Sequence, residues 1–293
     1  MKNKLLLLTV ILTICLMFWG CSIKEPVGNP MGSIGTDRTI VDGDYEYNYL
    51  PNEGSDSNLG FESPHTLTPQ QSGYIITRYT GEEVTLELPT IASDGTPIIG
   101  IGRGAFSLAP NLKELSVPAG YQYIFDCAFL GLSTLESVYI SSTVEYIAGG
   151  RVFELCNQLR TIQVAADNPI YMSDGNCLIE KSNMEVIAGC AGSVLPQGVL
   201  SIGSCAFSER TGPTEVFIPD SVLSIKSCAF MLCDTSAVHI AGQPQNVGEH
   251  AFTGCEKTII YCNMAQQPTS WHLDWLGESC ERYVPPTVIW IEE

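Results

Sequence analysis

Hydrophobic and polar residues follow a pattern that recurs along most of this chain. The clearest copies are VLSIGSCAF at 199–207 and VLSIKSCAF at 222–230, which lie 23 residues apart and differ at one position. Each copy belongs to a unit with two short segments of alternating apolar and polar residues, joined by a compact apolar turn. Alternation with a period of two is typical of β-strands. The pattern therefore predicts a repeated unit of two short strands and one turn.

A phenylalanine marks the turn of each unit. Successive phenylalanines are separated by 23, 24, 54, 23 and 22 residues, and the long step contains one unit and an insertion. Such a unit cannot bury its own apolar face, whereas units stacked at about 4.8 Å share a continuous core. We therefore predict a repeat solenoid of mostly short parallel β-strands with short helical turns, capped at both ends. The predicted core column is Phe106, Phe129, Phe153, Phe207, Phe230 and Phe252.

The segment after each phenylalanine links the repeat to a known family. It reads Leu-x-x-apolar-x-apolar, as in LKELSV at 112–117, and SIGSCAF is later followed by Pro219 and DSV at 220–222. This pattern resembles the BspA-like (Treponema-type) leucine-rich repeat family over roughly residues 72–290. The resemblance implies a leucine-rich repeat scaffold of surface-associated binding and adhesion proteins without catalysis. The leucine is lost at Pro213 and beyond, which predicts less regular packing in the last coils.

The first residues of the chain are typical of an export signal. Two lysines in MKNK precede an apolar run that ends at Trp19 and is followed by Gly20 and Cys21. The run is short for a membrane span. We predict a signal peptide at 1–20 and a lipidated Cys21, which would anchor the protein to the outer membrane, at the cell surface or facing the periplasm. An ordinary cleaved signal with an incidental Cys21 is the alternative.

The remaining chain divides into caps, repeats and an insertion. Alternating segments at 44–50, 73–79 and 84–89 predict an N-terminal β-rich cap, which would cover the open end of the first coil. The C-terminal segment contains Trp271, Trp275 and Trp290 and either closes the last coil or forms a sugar site. The predicted boundaries are 21–43 for the lipidated N-terminus and tether, 44–99 for the first cap, 100–262 for the solenoid with a hairpin insertion at 168–198, and 263–293 for the last cap.

The charge of the chain argues against nucleic acid as a partner. The formal net charge is −18, and without Lys2 and Lys4 of the signal peptide 12 basic residues face 32 acidic ones, which gives −20. Such a surface repels phosphate backbones, and no basic stripe is visible. The membrane contact we expect is the lipid anchor.

Twelve cysteines occur in the chain, and most fall on two columns of the repeat. We predict that they are small buried hydrophobic residues. Disulfides between adjacent coils, Cys205 with Cys228 or Cys233 with Cys255, are a second possibility in an exported protein. A metal site formed by Cys228, Cys233, His250 and Cys255 is a third, although no C-x-x-C spacing supports it. We therefore predict no metal.

No catalytic or cofactor-binding motif is present in the sequence. We find no H-E-x-x-H, no G-x-S-x-G, no phosphate loop and no dinucleotide fingerprint. The prediction is therefore a protein that is not an enzyme and holds no cofactor. A cysteine-dependent hydrolase using Cys190 and a distant histidine is the alternative in another class. A structural envelope protein without a specific ligand is a third hypothesis.

One position in the longer strand of each unit points away from the predicted core. Along successive coils it is Ser116, Tyr139, Gln163, Phe217, His239 and Tyr261. The ring-bearing members, Tyr139, Phe217, His239 and Tyr261, are our candidate ligand-binding residues for a host or microbial surface protein or a glycan. The competing interpretation is that the rings stack between strands and stabilise the sheet.

Overall fold

The computed structural model of this chain describes residues 39–50, 72–107, 109–209 and 212–291. The predicted signal peptide, Cys21 and the predicted loop at 51–71 lie outside these ranges. Within them the chain forms twenty strands and one helical segment, a 3-10 helix at Gly150–Phe153. In other units a residue with positive φ, such as Cys127 at 54°, interrupts the turn. Helical residues need negative φ. Within the described ranges, the 3-10 helix is therefore the only one of the predicted short helical turns that forms.

The described chain begins with three antiparallel strands. These are β1 at Thr39–Asp42, β2 at Tyr45–Leu50 and β3 at Gly73–Tyr79. Strand β1 lies inside the segment predicted as a tether, so that prediction is wrong from Thr39 onward. The polar composition there conceals a strand because β1 is an edge strand with half of its residues facing solvent.

The first group of coils adds parallel strands to two sheets. The longer strands form the sheet β4-β6-β8-β10, and the shorter ones extend the N-terminal sheet in the order β1-β2-β3-β5-β7-β9. All pairs from β3 onward in these sheets are parallel. The bounds are β4 Thr85–Glu87, β5 Ile98–Ile101, β6 Glu114–Val117, β7 Tyr123–Ile124, β8 Ser137–Ile140, β9 Tyr146–Ile147 and β10 Thr161–Val164.

The insertion forms a second set of antiparallel strands, which precedes the second group of coils. Strand β11 (Tyr171–Asp174) pairs with β12 (Cys177–Glu180), which pairs with β13 (Glu185–Ala188). Both residues of the β11–β12 turn, Gly175 and Asn176, have positive φ, as expected for a type I′ hairpin. The buried Asn168 fixes the start of the insertion, because its Nδ2 donates to the carbonyls of Ser141 and Val144 and its Oδ1 accepts from the next strand.

A second group of coils follows, again in two sheets. The shorter strands continue from the insertion in the order β11-β12-β13-β14-β16-β18, and the longer ones form β15-β17-β19-β20. In the described residues, neither sheet pairs strand to strand with a sheet of the first group, although side-chain hydrogen bonds such as Val164 N–H to Ser173 Oγ cross between β10 and β11. The bounds are β14 Ser201–Ile202, β15 Glu215–Ile218, β16 Ser224–Ile225, β17 Ala237–Ile240, β18 Asn246–Val247, β19 Ile259–Cys262 and β20 Thr287–Trp290.

The phenylalanine column is buried as the sequence predicts, but the core is divided. All six phenylalanines of the column are fully buried. Phe129 and Phe153 stack with ring centroids 5.5 Å apart in one apolar cluster, while Phe207 and Phe230 stack at 4.9 Å in another. Gly189 stands at the break, where a Cβ would lie 1.9 Å from the ring of Phe207. The predicted continuous core is therefore interrupted, because the insertion contributes a glycine where a complete coil would contribute a phenylalanine.

The last coils pack more regularly than the loss of leucine suggests. The rings of Phe207, Phe230 and Phe252 are within 8° of parallel in successive pairs, whereas Phe106 and Phe129 are tilted by 52°. Buried Thr235 and Thr258 take the place of the leucine. Their hydroxyls donate to carbonyls of the preceding coil, over 3.0 Å to Thr214 and 2.7 Å to Thr235. The prediction of irregular packing is wrong because a hydroxyl-to-carbonyl ladder replaces the leucine column.

The tryptophans close the end of the second group of coils. Trp271 and Trp275 are buried and pack edge to face at 4.9 Å, and Trp290 lies against both. The indole of Trp271 donates to the carbonyl of Pro244 over 2.8 Å, and Trp275 packs on Phe252. These rings are occupied by the protein itself, so they do not form the sugar site considered as an alternative.

Candidate functional surface

Three of the four candidate ligand-binding residues form a single stack of rings. Phe217, His239 and Tyr261 occupy the same register on β15, β17 and β19. Their ring centroids are separated by 4.5 and 4.8 Å, with planes within 8° of parallel. We call these three residues the aromatic ladder. Alternation along each strand places the ladder outside, while Val216 and Ile218 beside Phe217 are buried.

The ladder is open at one end and continues at the other into an aliphatic side chain. Strand β15 is the edge of its sheet, and Phe217 has 61% of its surface exposed. At the opposite end Tyr261 pairs in register with Ile289 of β20, which is 40% exposed. Glu215 lies next to the ladder, with its Oε2 3.7 Å from Nε2 of His239. The arrangement is an exposed apolar strip with an acidic group at its side.

Tyr139 does not belong to the aromatic ladder. It lies on β8, in the other long-strand sheet, and its register partners are Ser116 and Gln163. Because β10 and β15 are not paired, no continuous row of side chains connects Tyr139 with Phe217. The strip predicted across all coils is therefore divided at the insertion.

The column cysteines are largely core residues held by the backbone of the preceding coil. The Sγ of Cys156 donates to the carbonyl of Phe129 over 3.1 Å, and that of Cys255 donates to Phe230 over 3.0 Å. Burial raises the pKa of Cys255 to about 12. All ten cysteines in the described ranges are present as thiols.

The two sequence-derived alternatives that use cysteine chemistry are not supported by the geometry. Cys190 is fully buried beneath Ser193 and Asn176, so a substrate could not reach its sulfur. His250, considered as a metal ligand with three cysteines, instead lies with Glu249 and Asp274, the potential ligand atoms of the three being within 4.8 Å of one another. Thr253 Oγ1 lies 3.1 Å from Nδ1 of this histidine.

A partly buried charged cluster at the junction of the two groups of coils was not anticipated from the sequence. Arg151 lies 3.2 Å from the carboxylate of Glu154 and 3.8 Å from that of Asp126. Glu209 joins the cluster across the junction, where its carbonyl accepts a hydrogen bond from the backbone N–H of Leu155. Burial, followed by the charge of Glu154, raises the pKa of Glu209 to about 7. The sequence contains one indication of this cluster: Arg151 occupies a repeat position that holds cysteine in three other units.

In the residues that the structure describes, no helix has the length and apolar character needed to span a bilayer.

Stacked coils with a buried phenylalanine column and an exposed strand surface define the class of protein: a leucine-rich repeat scaffold. The family model for the BspA type leucine rich repeat region matches the chain over residues 83–187 and 189–269, in six copies. The chain belongs to this BspA-type leucine-rich repeat family, as the sequence pattern predicted.

Solved structures of bacterial leucine-rich repeat proteins resemble the chain. The Treponema pallidum leucine-rich repeat protein is 25% identical, with 67% of this chain and 76% of that one covered and a TM-score of 0.40. A leucine-rich repeat protein from Eubacterium ventriosum is 13% identical, with coverages of 66% and 70% and a TM-score of 0.44. A leucine rich cell surface protein from Faecalibacterium prausnitzii is 17% identical, with coverages of 87% and 95% and a TM-score of 0.34. A search of curated proteins finds no match.

Proposed function

We propose that this protein is a non-catalytic, lipid-anchored protein of the cell envelope that binds a surface protein through its aromatic ladder. The observation that carries the proposal is the exposure of Phe217 at the open end of three stacked rings. The leucine-rich repeat scaffold supports the proposal, since it presents a rigid sheet whose outer side chains are free to contact a partner.

The rigidity of the ladder favours binding. The rings are held in register by parallel strands and by one another, so little side-chain freedom is lost when a partner covers them. Aromatic side chains are enriched in the cores of protein interfaces and among the residues that contribute most to affinity. Exposed apolar strips of this kind commonly mark contact surfaces.

A protein partner fits the ladder better than a glycan. Sugars stack on ring faces, but the faces of His239 are covered by Phe217 and Tyr261. The ladder therefore offers mostly ring edges, together with one outer face at Phe217. The carboxylate of Glu215 and the net charge of −18 favour a partner with basic residues around an apolar centre.

We expect that replacing the ladder weakens binding while preserving the fold. The triple variant Phe217→Ser, His239→Ser and Tyr261→Ser removes three anchors, each worth more than about 1 kcal/mol, so affinity should fall about 100-fold or more. Binding to an array of matrix proteins and glycans would be compared with the wild type, alongside circular dichroism. Tyr139→Ser is the matched control, since Tyr139 is also exposed on a long strand but lies outside the ladder.

The outcomes separate the binding hypothesis from its competitors. A folded triple variant that keeps wild-type affinity rules out the ladder as the site. A triple variant that unfolds while Tyr139→Ser stays folded indicates that the rings mainly stabilise the sheet. Protein spots bound by the wild type and lost in the triple variant support a protein partner, whereas loss confined to glycan spots contradicts it.

The lipid anchor rests on the sequence around Cys21. Lipidation at this residue would hold the protein in detergent micelles, because several acyl chains bind membranes durably. The wild type should therefore partition into the detergent phase and Cys21→Ala into the aqueous phase. Cys15→Ala is the control, since this residue lies within the predicted signal peptide. Equal partitioning of the wild type and Cys21→Ala excludes the anchor.

A further inference from the structure

One column of the repeat places an unusual backbone conformation in successive coils. Two positions before each phenylalanine stand Gly104, Cys127, Arg151, Cys205, Cys228 and His250. Four of these non-glycine residues have left-handed φ values, which are 54° at Cys127, 57° at Cys205, 59° at Cys228 and 57° at His250. Left-handed φ is disfavoured for residues with a side chain, so the column holds these side chains in a fixed and repeated orientation.

Cys205 and Cys228 are neighbours on this column. The backbone N–H of Cys205 donates to the carbonyl of Ser227 over 3.3 Å, which fixes the two coils against each other at this level. Strands β14 and β16 pair in parallel with Ser201 opposite Ser224 and Ile202 opposite Ile225, and the same offset places Cys205 opposite Cys228 on the next coil. Coils stacked at about 4.8 Å bring Cα atoms into the range of about 4.4–6.8 Å that a disulfide spans.

The two sulfurs differ in their access to solvent and in their acidity. Cys205 is buried, with 5% of its surface exposed, while Cys228 is partly exposed. The pKa of the Cys228 thiol is lowered, first by hydrogen bonding from Cys205 and further by the guanidinium of Arg151, against burial and the charges of Glu249 and Glu154. Cys228 is therefore the sulfur suited to react first, since the thiolate is the nucleophile in disulfide exchange.

We propose that Cys205 and Cys228 form a reversible disulfide site that joins two adjacent coils. The Cys228 thiolate attacks one sulfur of a low-molecular-weight disulfide, forming a mixed disulfide and releasing one thiolate, which takes up a proton. Cys205 then loses its proton and attacks Sγ of Cys228, which releases the second small thiol. Two electrons and two protons pass to the oxidant, which becomes two thiols, and the protein gains one S–S bond.

The other cysteines of the repeat do not combine a cysteine partner on the adjacent coil with a partly exposed thiol. Cys233 and Cys255 also lie on adjacent coils, but both are buried, and Cys255 donates its thiol to the carbonyl of Phe230. Cys127 shares the left-handed position, but Arg151 follows it on the next coil and Gly104 precedes it. The reaction should therefore be selective for one pair.

The test uses the purified full-length protein and oxidised glutathione as the small disulfide. Remaining thiols are alkylated and the peptides are mapped by mass spectrometry. We expect a linked peptide containing Cys205 and Cys228, while Cys233 and Cys255 are alkylated only after unfolding. Closing a loop of this length should raise the Tm by about 5 °C, and a reducing agent should reverse that shift.

Two single variants test the order of the steps. In Cys205→Ala, Cys228 should keep one glutathione as a mixed disulfide, because the second thiol is absent. In Cys228→Ser, the buried Cys205 should remain unmodified, and Cys255→Ala should leave the link intact. Absence of the 205–228 peptide in the folded wild type overturns the proposal, as does stable glutathionylation of Cys205 in Cys228→Ser.

Discussion

Phe230→Ala should lower the free energy of unfolding by about 3–5 kcal/mol, the largest effect we expect from a single substitution. Phe230 is fully buried and stacks between Phe207 at 4.9 Å and Phe252 at 5.1 Å. Alanine removes the ring from both stacks and leaves a cavity that parallel strands on either side cannot close. Urea unfolding followed by circular dichroism measures the loss.

The position of the damage is as informative as its size. Phe230 belongs to the apolar cluster of the second group of coils, and Phe153 belongs to the other cluster. Hydrogen exchange should therefore accelerate first in β14–β19, with smaller changes in β5–β10. Phe217→Ala, at an exposed ring of the same group, is the control and should cost below about 1 kcal/mol. Uniform acceleration across both groups contradicts a divided core.

Glu209→Gln should stabilise the protein at pH 8, by on the order of 2 kcal/mol, and have little effect near pH 4.5. The pKa of Glu209 is raised to about 7 in the folded protein, chiefly by burial and then by the charge of Glu154, while Arg151 opposes the shift. In the unfolded chain the pKa of a glutamate is about 4.3. Ionising this group at high pH is therefore harder in the folded state than in the unfolded state.

The direction of the pH dependence follows from these two pKa values. Well below the unfolded pKa of about 4.3 the carboxyl is protonated in both states, so its favourable contribution is fully present. That contribution falls as pH rises through about 7, since the unfolded state binds fewer protons there than the folded state. Glutamine cannot ionise, so in the variant this position adds nothing to the pH dependence of the free energy of unfolding. The groups that face Glu209 are Glu154, Arg151 and Tyr283, and they are present in both proteins.

The measurement is the difference in free energy of unfolding between wild type and Glu209→Gln at several pH values from 4.5 to 8. Taking the difference cancels the titration of groups that the two proteins share. Glu281→Gln, at a solvent-exposed glutamate of the C-terminal segment, is the matched control and should show no such trend. A difference that stays constant over this range shows that Glu209 is not the titrating group.

The repeated phrase was sufficient to predict the solenoid, because the phenylalanine spacing and the period-two alternation are both local. Buried phenylalanines and an outward-facing row follow directly from those two periods. The sequence did not reveal the division of the sheets. Whether β10 pairs with β15 depends on where the insertion places its strands, and no residue in either strand encodes that arrangement.

The charged cluster and the threonine ladder were missed for different reasons. Arg151 and Glu209 are 58 positions apart, and they meet because the coils on either side of the insertion are stacked, with Gly150 against the backbone of Cys205. Thr258 occupies the leucine position, and from the sequence alone this threonine indicates the loss of an apolar core residue. A buried threonine conserves the role of that position when its hydroxyl reaches the carbonyl of the preceding coil, which only the stacked geometry shows.

The two hairpins, β1–β2 and β11–β12, affect the conformational entropy that the chain loses when it folds. Strands β1 and β2 are joined by two residues, and so are β11 and β12, whereas the parallel partners β15 and β17 are separated by residues 219–236. Closing a short loop restricts fewer chain conformations than closing a long one. Contacts that are local in sequence also form fastest. In the second group, residues 181–184 join the hairpin to β13, so a template strand for the slower parallel strands forms at low entropic cost. In the first group, residues 51–72 separate the hairpin from β3, so the template strand there requires the closure of a longer loop.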